Sequence, residues 1–330
     1  MEYRQLGQSG VRVTKVALGA WAIGGWLWGG TDDEKAVAGI RRALDLGMTT
    51  LDTAPVYGFG HSETVVGRAI QGRRGEVQLL TKFGLRWDLE KGTAHFDTQD
   101  GEGRPIRIRK YAGRRSVLEE CDRSLRRLGT DCIDLYQHHW PDPSTPIEET
   151  FDACARLLKA GKVRAVGVSN YSAEQMEEAR KVVPLASDQP PYSMVKRDIE
   201  GDVLPWCREH GVGVLAYSPL QNGLLSGKVG LDRVFPKTDL RSRSPYFTME
   251  NRRRVLALLD ALGPTAARHG ATLAQLVIAW TVRQAGITAA LVGVRNAKQA
   301  EENARAADLA LSGEDLAAID ERLADVRLDL

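Results

Sequence analysis

The amino-acid sequence predicts a (β/α)8 barrel, the TIM-barrel class of α/β fold, with an N-terminal β-hairpin and an extra C-terminal helix. Two observations predict this class. Short apolar segments of strand length alternate eight times with segments in which apolar residues follow helical spacing. Eight such units in about 300 residues fit a closed barrel better than an open doubly wound sheet. Because no linker or change in composition divides the chain, we expect a single domain over residues 1–330.

The first half of the chain supplies the hairpin and four strand–helix units. Residues 2–15 alternate polar and apolar around Gln8-Ser9-Gly10, which predicts the hairpin. The first barrel strand is expected at Val16–Leu18, and the helix after it starts in an acidic turn and ends at Gly47. The next strands are expected at 50–53, 77–82 and 132–138, and their helices at 62–70, 116–128 and 147–160.

The second half repeats this alternation. The expected strands are 163–168, 185–189, 212–217 and 288–292, and the expected helices are 172–182, 202–210, 250–269, 272–285, 297–307 and 312–326. Two connections, residues 85–115 and 218–250, are unusually long and rich in Gly, Pro and charge. Both follow the carboxyl ends of strands, where barrel enzymes place their active sites, so we expect them to carry function.

The composition narrows the function classes. The 330 residues carry a net charge of only +2, which gives no reason to expect nucleic acid or a membrane as a partner. The N-terminus lacks a signal-peptide core, and the longest uncharged run, Val16–Thr31, is too short and glycine-rich to span a bilayer. The four cysteines form no C-x-x-C pair, so we expect no metal site and no disulfides: Cys121, Cys132, Cys154 and Cys207. We therefore expect a cytoplasmic protein.

Polar side chains end successive strands of the predicted barrel. Asp52 ends the second strand, and Tyr57 lies five residues further on within LDTAPVYG. Lys82 ends the third strand, and the pair His138-His139 ends the fourth. These groups should converge on one rim, where a carboxylate would hold the ammonium and the ammonium would lower the phenol pKa from about 10. A histidine beside them could orient an oxygen or relay a proton.

Each of these residues also has an ordinary structural interpretation. Asp52 alone is more simply a loop cap, Tyr57 a rim aromatic, and Lys82 a solvated charge at a strand end. A single strand histidine is usually a hydrogen-bonded core residue. Four such groups at successive strand ends are hard to explain as caps, so the combination favours a catalytic centre.

Six motifs extend this pattern along the chain: LDTAPVYG, LLTK, DLYQHHWP, GVSN, YSPL and GVRN…EEN. In their order and spacing, from the hairpin to about Asn303, they resemble the aldo-keto reductase superfamily. The resemblance implies a catalytic tetrad of Asp52, Tyr57, Lys82 and His139. The histidine is assigned to His139 because the family residue directly precedes an aromatic residue and a proline. Strand alternation then turns His138 towards the surrounding helices.

The resemblance also implies a nicotinamide cofactor extended across the barrel mouth. Ser169, Asn170 and Gln189 would hold its carboxamide, and Tyr217 would stack on its ring. The remaining expected contacts are Gly19, Trp21 and Asp52 near the ring, Ser218, Leu220, Gly223 and Leu225 at the pyrophosphate, and Gly293, Arg295, Gln299, Glu302 and Asn303 at the adenosine. Arg295 is the expected partner of a 2′-phosphate, which favours NADPH (NADP+), with NADH as the alternative.

The substrate is expected to be a small aldehyde, ketone or sugar-like molecule. Tryptophans after strand ends could form its apolar wall or could simply anchor loops: Trp26, Trp28, Trp87 and Trp140. Basic residues in the first long connection suggest either an anionic substrate or, because acids interleave, a solvated loop: Arg104, Arg107, Arg109, Lys110, Arg114 and Arg115. Those of the second are expected to close over the pyrophosphate: Arg233, Lys237, Arg241 and Arg243.

The expected reaction is therefore NADPH-dependent reduction of a carbonyl, with Tyr57 as the proton donor. One alternative is a nicotinamide-binding regulatory subunit resembling channel-associated β-subunits. The other is a barrel aldolase or isomerase that uses Lys82 for Schiff-base or proton-transfer chemistry. Neither alternative accounts for the tetrad together with the GVSN, YSPL and GVRN…EEN motifs. The sequence does not predict the oligomeric state.

Overall fold

A computed structural model describes the whole chain, Met1–Leu330. Its strands are β1 (Tyr3–Gln5), β2 (Arg12–Thr14), β3 (Val16–Gly19), β4 (Thr50–Asp52), β5 (Gln78–Phe83), β6 (Leu85–Arg86), β7 (Thr93–Gln99), β8 (Pro105–Lys110), β9 (Leu135–His138), β10 (Val166–Ser169), β11 (Leu185–Gln189), β12 (Gly213–Tyr217) and β13 (Ile287–Gly293). Eight of them close into a parallel barrel in the order β3-β4-β5-β9-β10-β11-β12-β13. The predicted (β/α)8 class is therefore confirmed.

Ten helices accompany the strands. They are α1 (Asp33–Asp45), α2 (His61–Ile70), α3 (Arg114–Leu128), α4 (Ile147–Lys159), α5 (Ala173–Arg180), α6 (Val203–His210), α7 (Met249–Arg268), α8 (Leu273–Arg283), α9 (Ala297–Ala306) and α10 (Gly313–Ala324). Local sequence explains several of their starts, since Asp32 caps α1 and Ser172, Thr272 and Ser312 each form a capping box. None of these helices combines the length and apolar character needed to cross a membrane.

The N-terminal hairpin closes the bottom of the barrel. Leu6 and Val13 are fully buried in one apolar cluster with barrel-interior residues such as Leu80 and Leu215. The hairpin fits closely because Gly7, at φ +54°, has no side chain; a Cβ there would lie 2.4 Å from the Ala186 carbonyl oxygen. A separate cluster of 71 buried residues fills the layer between strands and helices. Only the carboxyl-terminal end of the barrel is left for a site.

The first long connection is more regular than its composition indicated. Residues 85–110, here called the β-insertion, form a three-stranded antiparallel sheet in the order β6-β8-β7. Cross-strand neighbours include Asp97 opposite Arg107, whose side chains pair at 2.6 Å. Residues 218–248, here called the coil insertion, contain no strand and only short 3-10 turns. The two insertions stand over the open end of the barrel.

Candidate active site

A cavity of about 710 Å³ opens at the carboxyl-terminal ends of the strands, beneath the two insertions. Most residues expected at a cofactor or catalytic site line it: Gly19, Trp21, Asp52, Tyr57, His139, Ser169, Asn170, Gln189, Tyr217, Ser218, Leu220, Gly223, Gly293, Arg295, Gln299, Glu302 and Asn303. The register explains this convergence, because Gly293 pairs with Gly19 and Gly19 pairs with Asp52 at the same level of the barrel.

Asp52 and Lys82 form a buried ion pair beneath the cavity. Lys82 Nζ lies 2.5 Å from Asp52 Oδ1 and 3.0 Å from the carbonyl oxygen of Thr53, and the lysine is fully buried. Burial lowers the Lys82 pKa from its usual value, and the Asp52 charge opposes that shift. Lys82 is therefore not a solvated charge at a strand end. It is buried and paired with Asp52, because an unpaired ammonium in this position would carry a large desolvation cost.

Two glutamines complete the hydrogen bonding of Asp52. Its Oδ2 accepts from Gln137 Nε2 at 3.1 Å and from Gln189 Nε2 at 3.0 Å. The Gln189 amide also donates to Gln137 Oε1 at 3.1 Å. Gln137 is fully buried and was not predicted as a site residue, although an amide inside the strand-like segment CIDLYQH was a usable signal in the sequence. With three donors around it, the Asp52 carboxylate is fixed as an acceptor that holds Lys82.

Tyr57 and His139 face each other above this pair. Lys82 Nζ lies 5.1 Å from the centre of the Tyr57 ring, and the rings of Tyr57 and His139 meet edge to face at 5.7 Å. The Tyr57 loop is seated on Gly24, where an added Cβ would lie 2.6 Å from the Tyr57 carbonyl. A phenol, an ammonium and an imidazole therefore converge on one point of the cavity, which suits proton transfer to a bound oxygen.

The expected lowering of the Tyr57 pKa by Lys82 is wrong for this structure. Burial raises the pKa of Tyr57 well above its usual value, and the Asp52 charge raises it further. The Lys82 ammonium, 5.1 Å from the Tyr57 ring centre, favours the phenolate but does not outweigh these two effects, because the Asp52 carboxylate at 2.5 Å offsets much of its charge. Tyr57 accordingly keeps its proton at neutral pH, which is the form that a proton donor requires.

The two adjacent histidines have different surroundings. Burial, followed by the charges of Lys82 and neighbouring histidines, holds the pKa of His139 well below its usual value, so the ring is neutral. His138 points away from the cavity: its Nδ1 lies 2.6 Å from the Tyr171 hydroxyl, and its ring stacks on Phe83 at 4.9 Å. Strand alternation had predicted this orientation.

The residues expected at the nicotinamide are linked to one another. Tyr217 donates to Asn170 Oδ1 at 3.0 Å, and Asn170 Nδ2 donates to Ser169 Oγ at 3.0 Å and to the His139 carbonyl at 3.1 Å. Asn170 and Ser218 both have left-handed backbone, with φ of +61° and +54°. Such conformations are costly for non-glycine residues and concentrate at functional sites. This side of the cavity is therefore a pre-formed polar surface.

The rest of the cavity fits an elongated anionic ligand such as a nicotinamide dinucleotide. Arg233, Arg241 and Lys228 line it from the coil insertion, whereas Lys237 and Arg243 do not. At Gly293 no atom lies within 4 Å of an added Cβ, so a ligand could approach the backbone there. Arg295 forms no ion pair and donates to the carbonyl oxygens of Trp28 and Gly30 beside the start of α9. Helix starts and unpaired guanidinium groups favour anions.

Leu225, expected at the pyrophosphate, does not line the cavity. It is fully buried in the apolar core, and its backbone N–H donates to the Leu220 carbonyl oxygen at 3.1 Å. The short 3-10 turn at Leu224–Ser226 directs this side chain inward. The motif fixed the position of the residue along the chain but not the direction of its side chain.

The coil insertion is clasped to the loop after β3. Trp28 and Asp239 form a backbone β-bridge, and the Leu240 N–H donates to the Leu27 carbonyl oxygen at 3.1 Å. The Arg241 guanidinium pairs with buried Asp239 and lies 5.1 Å from the centre of a Trp28 ring. The clasp, defined by residues 27–28 and 239–241, lines the cavity through Leu27, Trp28, Leu240 and Arg241.

At the other end of the cavity, aromatic side chains meet the β-insertion. Trp26, Trp28 and Trp140 line the cavity as expected, but Trp87 does not; its ring packs against Phe59 at 5.4 Å instead. The β-insertion contributes three lining residues that were not anticipated from the sequence, Leu85, His95 and Phe96. They lie in a charged segment whose strand character was not recognised.

The basic residues of the first long connection do not form an anion site. None of them lines the cavity. Arg104 pairs with Asp100, Arg109 with Glu90 and Arg114 with Asp152, in each case at the surface. These pairs favour the interpretation as a solvated segment, in which acidic side chains neutralise several of the arginines.

Comparison with known proteins identifies related chains along almost the full length. A family model described as the aldo/keto reductase family matches residues 15–324. An aldo-keto reductase of Bacillus subtilis is 41% identical over 318 residues, covering 96% of this chain and 91% of that protein. An NADH-specific methylglyoxal reductase of Escherichia coli is 35% identical over 316 residues, covering 94% of each.

Solved structures agree with this similarity. A glycerol dehydrogenase from Gluconobacter oxydans superimposes with a TM-score of 0.87 at 40% identity, covering 98% of this chain and 94% of that one. The holo form of an aldo-keto reductase from Bacillus halodurans gives a TM-score of 0.78 at 29% identity, covering 98% and 96%. At these identities the similarity covers the amino-acid sequence as well as the fold.

Proposed function

The chain belongs to the aldo/keto reductase family of NAD(P)H-dependent oxidoreductases, and we propose that Tyr57 is its proton donor in the reduction of a small aldehyde or ketone to an alcohol. The observation that carries this proposal is the convergence of Tyr57, His139 and the Asp52–Lys82 pair on one point of the cavity. Neither the regulatory-subunit nor the aldolase alternative is favoured by the relatives, which are named as reductases and dehydrogenases.

In the proposed mechanism, Tyr57 and His139 bind the carbonyl oxygen and polarise it. A nicotinamide held at Ser169, Asn170, Gln189 and Tyr217 would supply the hydride. Tyr57 donates its proton to the oxygen as negative charge develops there, and the Lys82 ammonium stabilises the phenolate that remains. Asp52, fixed by two amides, holds Lys82 in place. Burial of Asp52 and Lys82 strengthens the interaction between them, because little solvent screens it.

Replacing Tyr57 by Phe tests the assignment. The substitution removes only the hydroxyl, so turnover should fall by at least about a thousandfold, while binding of NADPH should be unchanged within about twofold. Turnover is measured by cofactor absorbance with 4-nitrobenzaldehyde, and binding by fluorescence titration. Tyr3→Phe is the matched control, because Tyr3 bonds to Thr49 at the hairpin end of the barrel. Equal losses of turnover and binding in Tyr57→Phe would contradict the role.

We further propose that NADPH is preferred over NADH. The support is Arg295, a guanidinium without a carboxylate partner at the expected adenosine end of the cavity. Because one relative is named NADH-specific, the family alone does not decide the preference. The test is the ratio of kcat/KM for the two cofactors, and a ratio at or below one would contradict the proposal.

We also propose that residues 1–330 form a single cytoplasmic domain. The continuous core of 71 buried residues supports a single domain, since it includes residues from the first strand of the barrel to the last helix. The four cysteines are free thiols, which supports a reducing compartment. Cell fractionation with an antibody against the chain tests the location.

A further inference from the structure

A buried cluster of polar and charged side chains joins the β-insertion to α3. Glu120 on α3 and Arg86 on β6 are 4% and 3% exposed. The hydroxyl of Ser116 links them, since it accepts from Arg86 Nη1 and donates to Glu120 Oε1 at 2.9 Å. Arg86 also donates to both carboxylate oxygens of Asp88, at 2.7 and 2.9 Å. Buried polar groups that are hydrogen-bonded on several sides are held rigidly.

The second oxygen of Glu120 contacts the peptide group between Phe83 and Gly84. Its Oε2 accepts from the Gly84 N–H at 3.0 Å. The carbonyl oxygen of the same peptide group, on Phe83, accepts from the backbone N–H of His139 at 3.0 Å. One planar peptide group therefore joins the Glu120 carboxylate to the backbone of the histidine that faces Tyr57.

Gly84 is also the point at which the β-insertion leaves and re-enters the barrel. Its carbonyl oxygen accepts from the Tyr111 N–H at 3.0 Å, directly after the last strand of the insertion. Its φ is +91°, and a Cβ here would lie 2.6 Å from the His138 ring. Leu85, the next residue, is buried and lines the cavity. Because glycine restricts the backbone little, the geometry of this junction depends on the groups that hold it.

A carboxylate suits this junction because both of its oxygen atoms accept hydrogen bonds. An amide at position 120 would offer one acceptor oxygen and two N–H donors. A leucine would offer no acceptor and would leave the Gly84 N–H unpaired in buried surroundings. Burial raises the pKa of Glu120 to about 7, and the charge of Arg86 opposes this shift. At pH 8 the side chain is therefore mainly ionised.

We propose that Glu120 is a positioning residue for binding of the carbonyl substrate. Its carboxylate holds the segment 83–86, which in turn holds the backbone of His139 and the cavity wall at Leu85. The inference rests on the proposed reductase function and adds a residue to it. Glu120 does not line the cavity, so it acts only through these neighbours. The ion pair beneath the cavity keeps its own hydrogen bonds when Glu120 is lost, so substrate binding should weaken while proton transfer is retained.

Two substitutions at Glu120 form a graded test, with 4-nitrobenzaldehyde and NADPH at pH 8. Glu120→Leu removes both acceptors, so KM for the aldehyde should rise by at least about tenfold while kcat changes by less than about threefold. Glu120→Gln keeps an acceptor for the Gly84 N–H and should raise KM by only about threefold. The dissociation constant of NADPH, measured by fluorescence titration, should stay within about twofold of the wild-type value in both variants.

Glu119→Gln is the matched control and should behave as wild type, because Glu119 on the same helix pairs with Arg123 at the surface. A wild-type KM in both Glu120 variants, or in Glu120→Gln alone if Glu120→Leu does not fold, would overturn the proposal. So would a fall in kcat at constant KM, because that result indicates fewer folded molecules. If the wild-type enzyme does not reduce 4-nitrobenzaldehyde with either cofactor, the proposed function itself fails and this inference fails with it.

Discussion

The floor of the cavity is made of barrel strand ends, whereas its roof is made of two insertions that differ in order. On the floor, the Asp52–Lys82 pair is buried and hydrogen-bonded on every side. On the roof, charged side chains pair mainly at the surface, as Arg107 does with Asp97. Surface pairs contribute roughly 0–1 kcal/mol each, and buried pairs are far more sensitive to loss of a partner. The floor should therefore tolerate almost no change, and the roof should tolerate many.

The two parts of the roof differ as well. The β-insertion is a regular antiparallel sheet with its own register. The coil insertion has no strands, and Ser218, Gln221 and Asn222 in it adopt left-handed backbone. A sheet holds His95 and Phe96 at fixed positions, as recognition of a small substrate requires. A segment without regular hydrogen bonding opens more easily, as exchange of a large cofactor requires.

Breaking the floor should have the largest effect. In Lys82→Met the lysine charge disappears while Asp52 stays buried, so turnover should fall by at least about a thousandfold and the free energy of unfolding by about 3–5 kcal/mol. Steady-state assays and urea unfolding at pH 7 measure the two losses. The double variant Asp52→Asn/Lys82→Met removes both charges and should recover much of the stability but none of the turnover. A stable but inactive single variant would show that the pair is not the structural centre of the floor.

Breaking the clasp in the roof should have a smaller and different effect. Arg241→Leu removes the partner of buried Asp239 and the stacking on Trp28 and Phe235. The dissociation constant of NADPH should rise by about tenfold, equivalent to about 1.4 kcal/mol, with kcat changed much less. Arg243→Leu is the control, because that exposed arginine lies outside the cavity and forms no ion pair. An unchanged dissociation constant in Arg241→Leu would separate the clasp from cofactor retention.

The smallest expected effect concerns the barrel wall beside the floor. Asp188, on β11, is fully buried, no side chain bonds to its oxygens, and burial raises its pKa from 3.8 to about 8. Because the folded-state pKa is the higher one, the stabilisation from this group is complete below about pH 4 and is lost as pH rises through about 8. Asp188→Asn should remove this loss. At pH 9 its free energy of unfolding should exceed that of the wild type by at least about 1 kcal/mol, and at pH 5 the difference should be smaller.

Urea unfolding at the two pH values tests the Asp188 prediction. Asp198→Asn is a suitable control because that carboxylate is largely exposed, in a surface pair with Lys196. A stability difference between Asp188→Asn and wild type that is the same at pH 5 and pH 9 would mean that Asp188 does not titrate in this range.

The floor was largely predictable from the sequence, and the roof was not. Apolar periodicity and caps such as Asp32 placed most strands and helices within a few residues, and residues at successive strand ends had to meet on one rim. The strands of the β-insertion were not predicted because they are mostly exposed: TAHFDTQ contains no buried residue, and PIRIRK contains only one, Ile108. The raised pKa of Tyr57 depends on burial among residues that are distant in sequence, so no local sequence pattern predicts it.

The β-insertion begins and ends at neighbouring points, because Leu85 pairs with Lys110 where the sheet joins the barrel. Its strands pair only with one another. A segment that leaves and re-enters a scaffold at one place can be exchanged as a unit without changing the scaffold. After gene duplication, related enzymes could therefore acquire different substrates by replacing this segment, while each keeps the same proton-transfer centre. The same exchange is open to protein engineering.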